Sequence, residues 1–329
     1  MLRRIVLALV GVVAIAAVAL YGAFQLSPWP SVLLIRYAFA KGGADSAASV
    51  VHLVPNNVAV RKDLSYAPDD RNARFDVFAP AGATAPLPAI VWIHGGGFVA
   101  GSRSELSNYL QILAGRGFVT VAIDYTLAPE ARFPTPVRQT NAALAYIVAN
   151  AAQFNIDPER IILAGDSAGA QIAAQTALVI SDPDYARQIG TESGLKRSSL
   201  RGLILFCGPY DPALMRFDGP FADFTRTVLW SYIGTPNPHD ARVAQLAVTP
   251  HVTAALPPVF ISVGNADPLA PQSIALAEAL RHKGVIVDSL FFPADHRPKL
   301  GHEYQRLLAT DAGRLSFERM VTFVAAHAK

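Results

Sequence analysis

The sequence predicts an α/β fold in which a mainly parallel sheet is covered by helices on both faces. From residue 51 to the C-terminus, short apolar runs rich in β-branched residues alternate with longer helical patterns. Strands separated by helices usually pair in parallel, because the crossover helix returns the chain to the same end of the sheet. The chain has 329 residues, of which 52% are hydrophobic, and this is enough for one large domain.

The predicted elements follow one another in a regular order. In the first half we expect the strands RFDVFAP and LPAIVWIH, the helix LSNYLQILAGRG, the strand FVTVAIDY and the helix TPVRQTNAALAYIVANAAQFN. A strand at 161–164 and a helix at 168–177 come next, followed by the strand LRGLILFCGPYD. The C-terminal part has the strand PPVFISVGNAD, the helix PQSIALAEALRHKG, the strand VIVDSLFFP and a last helix at about 311–327. Residues 212–256 contain several aromatic residues and few strand patterns, so we expect an irregular insertion that packs as a lid.

The N-terminal 26 residues are predicted to be a signal anchor or a signal peptide. Arg3 and Arg4 precede an uncharged run at 5–24, which is about the length that a helix needs to cross a bilayer. A cleavage site at 17–19 would lie inside the apolar run, so we favour an uncleaved anchor with the remaining chain outside the cytoplasm. The alternative is a secreted or periplasmic protein after cleavage. Residues 27–57 are expected to form a linker and an N-terminal cap segment, and 58–329 the main domain.

Composition excludes several other classes of protein. The net charge is +3, and two of the positive charges are the N-terminal arginines, so nothing indicates a nucleic-acid partner. The single cysteine, Cys207, lies in the apolar run LILFCG and is expected to be a small buried side chain. Histidine and cysteine do not occur at metal-ligand spacing, and we expect neither a metal nor a cofactor.

A serine lies where the segment RIILAGDSAGAQIAA changes from strand to helix. Ser167 is flanked by Gly165 and Gly169, at positions where the strand and the helix would be too close for side chains. Such a turn presents a hydroxyl at the C-terminal edge of a sheet, beside the positive end of a helix. The pattern indicates a nucleophile, but it is short enough to occur by chance, so the partners of the serine must be found elsewhere.

The loop HGGGF at 94–98 is expected to supply hydrogen-bond donors for an oxyanion. Each glycine costs about 0.5 to 1 kcal/mol of backbone entropy relative to alanine, and the gain is that backbone N–H groups can approach a ligand closely. We expect Gly96, Gly97 and Ala168 to be the donors, and His94 to pack beneath the loop. The alternative is a plain flexible loop.

Taken together, HGGGF, YTLAPEARFP and GDSAG resemble the hormone-sensitive-lipase-like esterases of the α/β-hydrolase fold. The resemblance covers roughly residues 80–329. It implies an α/β-hydrolase fold with a helical cap, built from the N-terminal segment and the insertion at about 212–256. It also implies hydrolysis of carboxylic esters, usually of short acyl chains, without a cofactor. Glu130, in YTLAPE, is expected to be a structural hydrogen-bond partner.

The resemblance also implies the other members of a catalytic triad. The family pattern Asp-Pro-Leu matches this chain at Asp267, with a helix N-cap role or Asp211 as the alternatives. For the base, the segment FFPADHRPKLGHEYQ offers His296 and His302, and the distance to the last helix favours His302. The implied activity is a carboxylesterase that acts on a small-molecule ester through Ser167. The alternatives are an amidase or formamidase with the same triad, or a non-catalytic, membrane-bound, hydrolase-like binding protein.

Overall fold

Eight strands form the central sheet of the computed structural model, which describes residues 1–219 and 221–329. In chain order they are β1 (Val58–Ser65), β2 (Arg74–Pro80), β3 (Leu87–Ile93), β4 (Val119–Ile123), β5 (Ile156–Asp166), β6 (Leu200–Phe206), β7 (Val259–Val263) and β8 (Val287–Phe291). Their order across the sheet is β1-β2-β4-β3-β5-β6-β7-β8. Strands β3 to β8 pair in parallel, whereas β2 pairs antiparallel with both β1 and β4. The predicted mainly parallel sheet is therefore confirmed.

The helices of the described residues surround this sheet. They are α1 (Leu2–Leu26), α2 (Trp29–Ser49), α3 (Ser107–Ala114), α4 (Thr135–Ala149), α5 (Ala168–Ser181), α6 (Pro183–Ile189), α7 (Ala222–Ile233), α8 (Ala270–His282) and α9 (Asp311–His327). Successive residues of β3 point to opposite faces. Val91 therefore belongs to the same buried cluster as Leu144 of α4, while Trp92 belongs to the cluster that contains Leu110 of α3 and Phe317 of α9. The sheet thus has one hydrophobic core on each face, as predicted for this fold class.

Strand β1 was not predicted, because it lies at the edge of the sheet. It pairs with β2 alone, and most of its side chains are exposed. Its sequence, VAVRKDLS, therefore lacks the apolar run that marks a buried strand.

Most of residues 27–57, which were expected to include a linker, form a helix. Helix α2 continues through Gly42 and Gly43 to Ser49. A Cβ atom at Gly43 would lie 2.4 Å from the carboxyl group of Glu105, so this glycine allows the helix to pack closely. The helix propensity of glycine is low, and at Gly43 this packing offsets it, whereas a Cβ atom at Gly42 would meet nothing within 4 Å.

The insertion at 212–256 is also more regular than expected, since it contains the 12-residue helix α7. The ring of Phe224 in α7 stacks on Phe39 of α2, with centroids 5.9 Å apart and planes 5° from parallel. The two segments therefore meet above the sheet, in the arrangement that the resemblance implied for a cap.

Helix α1 differs from the rest of the described structure. Its most apolar stretch of 18 residues has a mean hydropathy of 2.7, and none of the residues of the helix is buried within the protein. It is long and apolar enough to be either a membrane anchor or a signal sequence.

Candidate active site

Ser167 lies in a strained turn between β5 and α5. Its backbone angles are φ 51° and ψ −122°, a conformation that non-glycine residues rarely adopt. A Cβ atom at Gly165 would lie 2.4 Å from the backbone of Gly169, and one at Gly169 would lie 2.1 Å from the carbonyl oxygen of Ile93. The two glycines are therefore required by the close approach of strand and helix, as the sequence indicated.

The structure brings Ser167, Asp267 and His302 together at the carboxyl edge of the sheet. The Nε2 atom of His302 lies 3.0 Å from Ser167 Oγ, and its Nδ1 atom lies 2.8 Å from Asp267 Oδ2. Since a carboxylate only accepts hydrogen bonds, Nδ1 carries the hydrogen, which leaves Nε2 to accept the serine proton. Asp267 follows β7 and is buried, and its Oδ1 atom also accepts the Leu269 N–H at 2.8 Å. The carboxylate is therefore held from both sides.

The alternative acid and base have other contacts. Asp211 accepts the backbone N–H of Ala213 at 2.9 Å and caps a short turn in the insertion. The ring of His296 packs against Phe292, with centroids 4.7 Å apart. Neither side chain is hydrogen-bonded to Ser167 or to His302 within the part of the chain that the structure describes.

The surroundings of His302 favour its protonated form. Burial of the imidazole opposes protonation, but the charge of Asp267 and its hydrogen bond with Nδ1 outweigh it, and the pKa of His302 is raised above its ordinary value. Burial also raises the pKa of the Cys207 thiol, which keeps that group neutral. Asp267 is therefore the anion that stabilises an imidazolium here. No spacing in the sequence relates Cys207 to His302, yet the structure places the ligand atoms of Cys207, Asp267 and His302 within 4.8 Å of one another.

The HGGGF loop has the backbone geometry that close approach to a ligand requires. Gly96 and Gly97 have φ angles of 107° and 61°. Among residues 1–219 and 221–329, the N–H groups of Gly96, Gly97 and Ala168 donate to no other protein group. Gly97 and Ala168 line the same cavity as Ser167. Two free donors, the N–H groups of Gly97 and Ala168, therefore lie in the wall of the serine's cavity, the second of them in the first turn of α5, while Gly96 lines a neighbouring cavity.

His94 lies beneath this loop, as expected. Its Nδ1 atom is 2.7 Å from the carbonyl oxygen of Gly95, and its ring stacks on Tyr125 at 4.4 Å. Burial lowers the pKa of His94 despite the nearby carboxylate of Asp124, so the ring is neutral at neutral pH. The side chain supports the loop from below.

A buried group of charges behind the serine was not predicted. Asp166 accepts the Trp92 Nε1–H at 2.6 Å and the Gly95 N–H at 3.3 Å, and its carboxyl group contacts Glu303. Burial and the charge of Glu303 raise the pKa of Asp166 to about 7. Burial would also raise the pKa of Glu303, but Arg306, 3.1 Å away, outweighs it and lowers that pKa. Asp166 is therefore the first of the two carboxyl groups to take up a proton as the pH falls, while Glu303 keeps its charge.

An apolar cavity of about 100 Å³ opens beside Ser167. Phe98 and Tyr232 stack in its wall, with ring centroids 4.0 Å apart. Helix α7 contributes much of the remaining wall, with Phe224, Thr225, Val228 and Leu229. The shape of the cavity is thus set by the cap.

The strained turn, the Ser–His–Asp hydrogen bonds and the free N–H groups on a mainly parallel sheet define an α/β-hydrolase of the serine type. Comparison with known proteins leads further. The chain belongs to the BD-FAE family, whose model matches residues 75–280.

Three relatives illustrate the similarity. An esterase of Gibberella moniliformis is 31% identical over 208 residues, which are 61% of this chain and 63% of that protein. Among solved structures, esterase B from Lactobacillus Rhamnosis has a TM-score of 0.77 at 23% identity and covers 90% of this chain and 95% of its own. A bacterial heroin esterase has a TM-score of 0.71 at 25% identity, and the match covers 89% of this chain and 91% of that protein.

These matches confirm the predicted α/β-hydrolase fold and the resemblance to hormone-sensitive-lipase-like esterases. The chain spans less than two thirds of the length of the first curated relatives that it matches, 64% and 63%.

Proposed function

We propose that the protein is a serine carboxylesterase that forms an acyl-enzyme on Ser167. The observation that carries this proposal is the continuous set of hydrogen bonds from Ser167 through His302 to Asp267, at the edge of an apolar cavity. The esterases among the relatives support the same class of reaction.

The reaction follows from the positions of these groups. Ser167 Oγ attacks the ester carbonyl carbon while His302 Nε2 takes the hydroxyl proton, and the carbonyl oxygen becomes an oxyanion. The N–H groups of Gly96, Gly97 and Ala168 stabilise that charge. His302 then donates its proton to the departing alcohol. Water, deprotonated by the same nitrogen, attacks the acyl-enzyme and releases the acid, which restores the serine hydroxyl.

Asp267 acts by holding His302 in the correct tautomer and by stabilising the imidazolium that forms in each half-reaction. Its burial makes this interaction stronger, because little water screens the charge. Asp267 is therefore an orienting residue, and the proton stays on the imidazole.

The cavity supports short to medium acyl chains as substrates. The cavity beside Ser167 is small, about 100 Å³, and is lined mainly by apolar side chains, which suits a short hydrocarbon chain. Because α7 contributes much of its wall, a long acyl chain would have to displace side chains of that helix. We therefore expect the highest specificity constant with acetyl to butyryl esters.

The full-length protein in detergent, assayed with p-nitrophenyl esters from acetate to laurate, tests this proposal. One anilide and one formamide of matched acyl size are included. We expect ester turnover to fall as the chain lengthens beyond butyrate, and the amides to react much more slowly. Faster hydrolysis of the amide or the formamide would favour an amidase. Absence of turnover with every compound would favour a hydrolase-like binding protein.

We also propose that α1 is an uncleaved membrane anchor and that the catalytic domain lies outside the cytoplasm. The length and hydropathy of α1 support the anchor, and Arg3 and Arg4 at its start support the orientation. The protein is expected in the membrane fraction, with the domain accessible to external protease. A mature N-terminus near Leu20 would instead show cleavage by signal peptidase.

A further inference from the structure

Helix α2 is fixed to the catalytic domain by its inner face. Val32 is fully buried, and the guanidinium of Arg36 donates to the carbonyl oxygens of Val99 at 2.7 Å and Ala128 at 3.1 Å. The same guanidinium forms a bidentate pair with Glu130, at 2.8 and 2.7 Å. A planar guanidinium with four such bonds sets the rotation of the helix about its axis. The expected structural role of Glu130 thus corresponds to holding α2.

The opposite face of α2 carries large apolar side chains that contact no core. Leu33, Leu34 and Tyr37 are 59%, 62% and 80% exposed, and we call these three residues the outer stripe. Leu33 and Tyr37 are four residues apart and lie on one side of the helix, with Leu34 beside them. Trp29, at the start of the helix, lies nearer the inner face, and the Arg36 guanidinium is 5.6 Å from its ring centroid. Single exposed apolar residues are ordinary, but a contiguous patch of this kind marks an interaction surface.

The position of the stripe in the chain identifies what it contacts. The Cα atoms of Leu26, the end of α1, and Trp29, the start of α2, are at most about 11 Å apart. If α1 crosses the bilayer, Trp29 must lie at the membrane surface, since α1 is about as long as the hydrocarbon core is thick. Tryptophan and tyrosine are the residues enriched at that depth, and Lys41 continues the stripe by one further turn with a positive charge.

We propose that the outer stripe of α2 lies on the bilayer that α1 crosses, and that it holds the acyl cavity at the membrane surface. The proposal rests on the membrane anchor and on the esterase activity proposed above. Phe39 of α2 stacks on Phe224, which lines the cavity, so the cavity is separated from the membrane by about one helix diameter, 10 to 12 Å. The esters that reach it are those dissolved in the interfacial region of the bilayer.

Quenching of tryptophan fluorescence by brominated lipid tests the contact directly. The full-length W29F/Y37W variant is reconstituted in phosphatidylcholine vesicles whose acyl chains are brominated near the glycerol. The matched control is W29F/I286W, because Ile286 is 63% exposed but precedes β8, at the edge of the sheet opposite to Ser167. The two remaining tryptophans are the same in both variants.

We expect bromination to reduce the emission of the Tyr37→Trp side chain at least twofold and to leave the Ile286→Trp side chain unchanged. Equal, weak quenching of the two would overturn the proposal. If quenching of the Tyr37→Trp side chain becomes weaker as the density of protein in the vesicles increases, a second copy of the chain covers the stripe. This result would also overturn the proposal.

Activity provides a second readout that separates this proposal from the proposed reaction. L33E/Y37E is compared with I286E on a soluble ester, p-nitrophenyl butyrate, and on a membrane-dissolved ester, hexadecyl butyrate in vesicles. We expect L33E/Y37E to lose about tenfold on hexadecyl butyrate and to keep its rate on the soluble ester. If L33E/Y37E and I286E have equal rates on hexadecyl butyrate as well as on p-nitrophenyl butyrate, the membrane role of the stripe is refuted. If wild type hydrolyses neither ester, the esterase proposal fails, while the quenching result still decides the membrane contact.

Discussion

Replacing His302 by alanine tests the assignment of the catalytic base. The change removes the acceptor 3.0 Å from Ser167 Oγ and leaves the buried Asp267 without its partner 2.8 Å away. Loss of a triad member lowers kcat by about 10⁴- to 10⁶-fold in serine hydrolases. At 1.36 kcal/mol per tenfold, this corresponds to about 5 to 8 kcal/mol of transition-state stabilisation. We expect a loss in that range, with the oxyanion donors responsible for the residual rate.

The matched control is His296→Ala, on the same loop. The His296 ring packs on Phe292, and its backbone oxygen accepts from Asn265, a contact that alanine keeps. We therefore expect less than a threefold change in kcat. Initial rates with p-nitrophenyl butyrate decide the question, and circular dichroism shows whether both variants are folded. An inactive His296→Ala together with an active His302→Ala would refute the assignment.

A double variant makes the same test more specific. Ser167 and His302 act as one unit, so their losses should not add. In a Ser167→Ala background we expect His302→Ala to change the rate by less than about threefold. A further loss of a hundredfold would mean that the imidazole contributes independently of the serine, contrary to the geometry.

Three further predictions follow from the same site. A fluorophosphonate probe should label Ser167 covalently, and Ser167→Ala should abolish both labelling and turnover; mass spectrometry that finds the label on another residue would contradict this. A Cβ atom at Gly96 would lie 2.1 Å from the carbonyl oxygen of Ala100, so Gly96→Ala must shift the loop. This variant should lower the melting temperature while remaining folded at 25 °C, and it should cost about 3 to 4 kcal/mol in the chemical step. An unchanged kcat in Gly96→Ala would argue against the loop as a donor. His302 acts as a base only when deprotonated, and Asp267 raises its pKa, so kcat/KM should rise with pH through a midpoint above 6.5. Asp267→Asn should move that midpoint to lower pH and reduce the plateau of kcat/KM. A midpoint that does not move in Asp267→Asn would disprove the coupling.

The parts of the site that could be predicted are those fixed by local backbone geometry. The turn at Ser167 needs glycine at two positions because the strand and the helix approach within van der Waals distance there, so the sequence itself records the geometry. The oxyanion loop is similar, with positive φ angles at Gly96 and Gly97. The acid and the base were placed through the resemblance to a family, because their spacing from Ser167 in the sequence does not determine their distance in space.

The parts that were missed depend on contacts between distant segments. Gly42 and Gly43 are poor helix formers, so the sequence does not predict that α2 continues through them, and the packing of Gly43 against Glu105 appears only in the tertiary structure. The edge strand β1 has no apolar run to reveal it. The contact between Asp166 and Glu303 joins residues from β5 and from the loop after β8, and no spacing in the sequence relates them.

That buried group of charges limits how far the pKa of His302 is raised. If Asp166 and Glu303 were both ionised and unpaired, their negative charges would add to that of Asp267 and favour the imidazolium further. Instead the pKa of Asp166 is raised to about 7, so this group is only partly ionised at neutral pH, and Arg306 neutralises Glu303. Among the described residues, Asp267 is the carboxylate that is hydrogen-bonded to His302. The same arrangement leaves Asp166 able to accept from Gly95 and to anchor the oxyanion loop.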